Sequence, residues 1–138
     1  MNDDNNQQIH GTQIITVVTN DGDGLSYFAQ REVPLSGSVE RLLSDQQQAV
    51  NFRWRTSPKN YSAGFHVAGD PTLLIILSGT ITIELRDGQS RCFSAGDYFI
   101  AQDYLNAGIG FDTNVHGHRA YVQGDTPLSA LHLKLEKR

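Results

Sequence analysis

The sequence predicts a single all-β domain, and three observations carry that prediction. Short runs rich in Val, Ile, Thr and aromatic residues recur from Gln13 to Leu135, most of them alternating apolar with polar side chains at the period of a strand. Turns of Gly, Asp and Pro separate the runs, and an apolar stripe of helical period is almost nowhere sustained. A chain of 138 residues has room for one core, burying roughly two thirds of its unfolded surface without a disulfide or structural metal.

Residues 1–12, dominated by Asn, Asp and Gln, read as a flexible polar tail that cannot bury enough apolar surface to offset its ordering entropy, which leaves 13–138 as the folded domain. Gln13 to Thr19 contains the β-branched run Ile14 to Val18 and stops at the turn Asn20-Asp21-Gly22-Asp23-Gly24. As a calcium loop that turn fails, because Gln30 stands where the bidentate Glu is needed. From Leu25 to Gln48 the pattern is weakest. Ser38 to Gln48 fits either one or two helical turns capped by Ser38, with Val39, Leu42 and Leu43 on one face, or an irregular loop. Strand signals then resume. Asn51 to Thr56 alternates around Phe52 and Trp54, Thr72 to Leu77 is apolar enough for a strand buried on both faces, and Thr80 to Leu85 alternates strictly before the Asp87-Gly88 hairpin turn and Ser90 to Phe93. Gly96-Asp97 opens Tyr98 to Gln102, and His118 to Gln123 follows a loop. Leu128 to Leu135 sets Leu131, Leu133 and Leu135 against His132 and Lys134, which assigns His132 to the solvent side.

Eleven Lys plus Arg against 15 Asp plus Glu give a net charge of -4, which opposes attraction to phosphate backbones and anionic lipid. Neither nucleic acid nor a membrane is expected as a partner. No apolar run reaches bilayer length, and the N-terminus lacks the basic and apolar regions of a secretory signal. One cysteine forms no intramolecular disulfide, so a cytoplasmic location is expected. Catalytic signatures are missing: no G-x-S-x-G elbow, no P-loop, and Gly108-Ile109-Gly110 opens no helix. Cys92 reads as a small buried hydrophobe.

Pro71 to Leu85, with Leu77-Ser78-Gly79 turning between two apolar strands, is followed by Asp87-Gly88 and then by Phe93-Ser94-Ala95-Gly96-Asp97. In that order and spacing these motifs resemble the centre of a cupin, over residues 50 to 135. Val33-Pro34-Leu35 and Gly124-Asp125-Thr126-Pro127 are similar to segments of small single-domain bacterial cupins of unassigned activity. The resemblance implies a cupin-type double-stranded β-helix, a jelly-roll barrel that in this family commonly holds a divalent ion such as zinc, iron, manganese or nickel. Set on the family's metal motifs with Gly79 as anchor, His66 matches one of two early histidines and His118 fits the late one. Ala68 and Thr72 occupy the places of the other early His and the Glu, and Gln102 that of a Pro, ahead of an apparent insertion from Asp103 to Thr113. The metal expectation is therefore His66, His116 and His118, with Asp112 or Asp70 able to add an oxygen, and a site without metal stands as its equal alternative.

Alternate residues on a strand share a face, so Thr72, Leu74 and Ile76 would continue the inward face of His66 and Ala68, opposite Tyr98, Ile100 and Gln102. Tyr61, His66, Thr72, Tyr98, Gln102 and His118 are the expected ligand-binding groups of an otherwise apolar pocket. Arg53 and Arg55 beside Trp54 either attract an acidic ligand or form a solvated strand face. The function expected is small-molecule binding by a barrel with a degenerate metal site; the alternative is a metal-dependent enzyme of isomerase, lyase or dioxygenase type. Ile14 to Val18 has no obvious strand partner in a minimal barrel, so a homodimer in which it joins the partner's sheet edge is expected.

Overall fold

The computed structural model describes residues 8–137, which form eleven strands and no helix. In chain order these are β1 (Ile9–Thr19), β2 (Tyr27–Ser38), β3 (Arg41–Leu43), β4 (Ala49–Ser57), β5 (Ser62–His66), β6 (Thr72–Ser78), β7 (Thr80–Glu84), β8 (Ser90–Ser94), β9 (Tyr98–Ala101), β10 (His118–Gln123) and β11 (Leu128–Leu135). They build a seven-stranded sheet, β3-β2-β1-β9-β6-β11-β4, and a four-stranded sheet, β5-β10-β7-β8. Every pairing is antiparallel except β1 with β9, which is parallel. Among the described residues no helix is long and apolar enough to cross a membrane.

One core lies between the sheets. Val18, Leu74, Ile76, Phe99, Leu128 and Ala130 of the larger sheet meet Ile81, Ile83, Phe93, Ala120 and Val122 of the smaller. Phe93 and Phe99 stack with centroids 4.2 Å apart, tying the two layers together. Each large side chain buried here stabilises the fold by about 1.5–3 kcal/mol. Gly79 makes the β6–β7 reversal possible. Its φ is 77°, and a Cβ there would lie 2.5 Å from the Pro127 carbonyl oxygen, so both backbone conformation and space demand glycine.

Several expectations change. β1 begins at Ile9, and Ile9 to Thr12 pair with Gly37 to Pro34, so the folded part starts inside the segment assigned to the tail; residues 1–7 lie outside the described residues. β2 runs through Pro34 and Gly37, inside the stretch where the sequence pattern is weakest. β3 reaches only Ser36 to Ser38, so beside Pro34 the outer edge of β2 needs no donor. Ser38 to Gln48 contains this third strand and a loop rather than helical turns. β1 is flanked by β2 and β9 of its own chain, which removes the reason given for lending it to a partner subunit.

The phase of two strands also differs. Phe99 and Ala101 point into the core, so Tyr98, Ile100 and Gln102 do not share the face of Leu74 and Ile76. On β11 the inward set is Leu128, Ala130, His132 and Lys134, while Leu131 and Leu133 lie on the outer face. Cys92 is exposed, with its Sγ 3.2 Å from Thr82 Oγ1 and 3.3 Å from Gln123 Oε1.

Candidate functional site

Polar side chains from both sheets converge on a cavity of about 190 Å³ between them. Leu74, Ile81, Ile83 and Phe99 line its apolar part, and Arg55, His66, Thr72, His118, His132 and Lys134 its polar part. Larger depressions elsewhere, of about 480, 440, 390 and 240 Å³, lack this convergence of cationic and imidazole groups over an apolar wall, the usual makeup of a small-molecule site.

Local geometry sets the imidazoles. His118 pairs with His66 across β10 and β5, and a bulge follows before Ala120. Gly117 permits the close approach: its φ is 86°, and a Cβ would fall 2.3 Å from the His66 carbonyl oxygen. The two rings lie 4.6 Å apart, tilted by 54°. His66 Nδ1 is 2.8 Å from the Gly64 carbonyl and His118 Nδ1 is 2.6 Å from Asp103 Oδ2. Both acceptors require an N–H, so Nδ1 of each ring is committed as a donor and Nε2 is the nitrogen left for another partner. Asp103 is fully buried at 0% exposure. It also accepts from Ser26 Oγ at 2.6 Å and from the Ala68 amide at 2.9 Å. Burial works to raise its carboxyl, but the hydrogen bond and charge of His118, with Ser26 and Ala68, outweigh it and hold the group below the usual carboxylate range.

On the opposite wall, Lys134 Nζ donates to Thr72 Oγ1 at 2.7 Å, and Arg55 Nε donates to Ser57 Oγ at 3.1 Å. Arg55 Nη1 stands 3.5 Å from His132 Nε2. Burial first, then the charges of Arg55, Lys134 and Arg53, push the His132 imidazole down to about 4, so it is neutral near pH 7. Among the described residues no carboxylate forms an ion pair with Arg55 or Lys134.

The other expected groups sit elsewhere. Tyr61 packs against the core and lies under the Arg55 guanidinium, 5.0 Å from Cζ to ring centroid, so it supports a cavity residue. Gln102 accepts from Arg31 at 3.0 Å and donates to Thr19 at 3.1 Å, joining β2, β1 and the end of β9 outside the cavity. Tyr98 lines a surface depression with Ile14 and Arg91. His116 turns away from His66 and His118. Its Nδ1 accepts from the Asp112 amide at 2.9 Å, and its ring lies near Phe111 and Gly24, closing a loop. Asp112 caps Asn114, and Asp70 pairs with Lys137 at 3.3 Å. Among the described residues no group of three or more His, Cys, Asp or Glu side chains is placed to hold a metal ion. The expected three-histidine set does not assemble, since Asp103 is engaged behind His118 and His116 belongs to the loop.

His132, Lys134 and Asp103 were missed by the sequence reading. A usable signal existed for two of them: His132 and Lys134, two apart on one strand, must share a face. Asp103 gave none, standing where a loop begins.

No protein-family model matches the chain, and no curated protein matches it. Among solved structures, protein NMB1881 from Neisseria meningitidis is similar over 67% of this chain and 84% of its own, at 16% identity and a TM-score of 0.43. The conserved SPY1581 protein of unknown function from Streptococcus pyogenes is similar over 69% of this chain and 71% of its own, at 17% identity and a TM-score of 0.43.

Proposed function

We propose that the chain is a cupin-type double-stranded β-helix that binds a small molecule between its sheets, without a metal reaction of its own. The convergence of Arg55, Thr72, Lys134, His66 and His118 on one apolar-walled cavity carries this reading. Titrating isotope-labelled protein with a fragment collection, while following the His66 and His118 ring signals, tests it. Ligands that shift both rings support the reading; a collection whose hits all bind elsewhere, leaving these rings unmoved, defeats it.

Metal-dependent catalysis of isomerase, lyase or dioxygenase type is the second reading. It is favoured by the His66–His118 pair with a carboxylate behind His118, an arrangement that raises the basicity of metal-ligating imidazoles. Elemental analysis of protein purified without a His tag separates the two. Stoichiometric zinc, iron, manganese or nickel that disappears in His118→Ala would favour the enzyme.

A further inference from the structure

Arg55 and Lys134 reach the cavity from neighbouring strands, and their protein partners, Ser57, His132 and Thr72, carry no negative charge. The nearby carboxylate, Asp103, stands behind His118 and is already engaged by three donors. Two cations facing an apolar wall without a counterion favour an anion there, because a low-dielectric wall strengthens the attraction between opposite charges. The space equals about six water molecules at ~30 Å³ each, enough for a short-chain or single-ring acid. We propose that this cavity selects a small carboxylate, its charged end held by Arg55 and Lys134 and its apolar part against Leu74, Ile83 and Phe99. With Nδ1 of His66 and His118 committed to Gly64 and Asp103, Nε2 of each ring is the atom left for a hydroxyl of the same ligand.

The proposal rests on the small-molecule reading, and matched probes separate the two. Acetate and benzoate are titrated against acetamide and benzamide, with the ring signals of His66, His118 and His132 as readout. The acids should shift these signals and the amides should not. Arg55→Gln and Lys134→Gln should each weaken benzoate at least tenfold while melting close to the parent protein. Amides that bind as well as acids would remove the carboxylate preference and keep the cavity as a binding site. Rings that respond to neither class would remove both.

Discussion

His118 Nδ1 donates to Asp103 Oδ2 over 2.6 Å, and the carboxylate is sealed from solvent. Asp103 thereby connects the loop after β9 to β10, to Ser26 before β2 and to the Ala68 amide after β5. Removing the imidazole leaves the buried Asp103 carboxylate without one of its three donors, so His118→Ala should cost about 3 kcal/mol. Asp103→Asn, which turns an acceptor into a donor facing donors, should cost a similar amount. Urea unfolding measures both, and losses under ~1 kcal/mol would show that the pair contributes little to the fold.

Gly117 and Gly88 make a controlled comparison. Both have positive φ, 86° and 90°, but a Cβ at Gly117 meets the His66 backbone while one at Gly88 meets nothing within 4 Å. Gly88→Ala should cost about 1 kcal/mol from backbone strain alone. Gly117→Ala adds a clash, so it should lose clearly more and also separate the His66 and His118 rings. Equal melting temperatures for the two variants would contradict the close approach.

Where the sequence was legible, one face of a strand was polar and the other apolar. Thr80 to Leu85 could be read in this way, whereas the turns at Gly79 and Gly88 followed from turn chemistry and the inward set Thr72, Leu74 and Ile76 from the register of His66 and Ala68. β9 has Tyr98, Phe99, Ile100 and Ala101 in succession, so alternation gives no phase, and it is Phe99 and Ala101, not Tyr98 and Ile100, that face the core. On β4 and β11 the usual rule inverts. Phe52, Trp54, Leu131 and Leu133 lie on the outer face, while Arg55, His132 and Lys134 point inward. A cationic cavity and an apolar outer face together defeat the assumption that apolar means inside.

Acid should weaken the fold in two windows. His132 takes up its proton near pH 6.5 when unfolded and near 4 when folded. Above 6.5 it is neutral in both states and has no effect; as pH falls from 6.5 to 4 the unfolded chain binds the proton first and stability drops. The groups facing it are Arg53 and Arg55 on β4, Lys134 on its own strand, and His66 and His118 across the cavity. With screening at this partly exposed site the loss is on the order of 1 kcal/mol. His132→Asn should flatten that part of the profile. Asp103 acts lower, its stabilisation present above the unfolded value near 3.8 and lost as pH falls below it. A stability profile flat from 6.5 to 4 in the parent protein would show that His132 is solvated.

Cys92 should react with a thiol reagent in the native protein, one equivalent per chain, because its side chain is exposed. Labelling that requires denaturant would place the thiol inside.

The parallel contact of Val17 with Ile100, reinforced by Gln102 bonding Thr19 across a separation of 83 residues, bears on how the chain reaches this state. β1 and β2 can close early as a local hairpin, but the other edge of β1 waits until most of the polypeptide has been made. High contact order of this kind gives folding in milliseconds to seconds. During synthesis the β1 edge is an unpaired template that a neighbouring nascent chain can occupy, so refolding yield should fall as protein concentration rises.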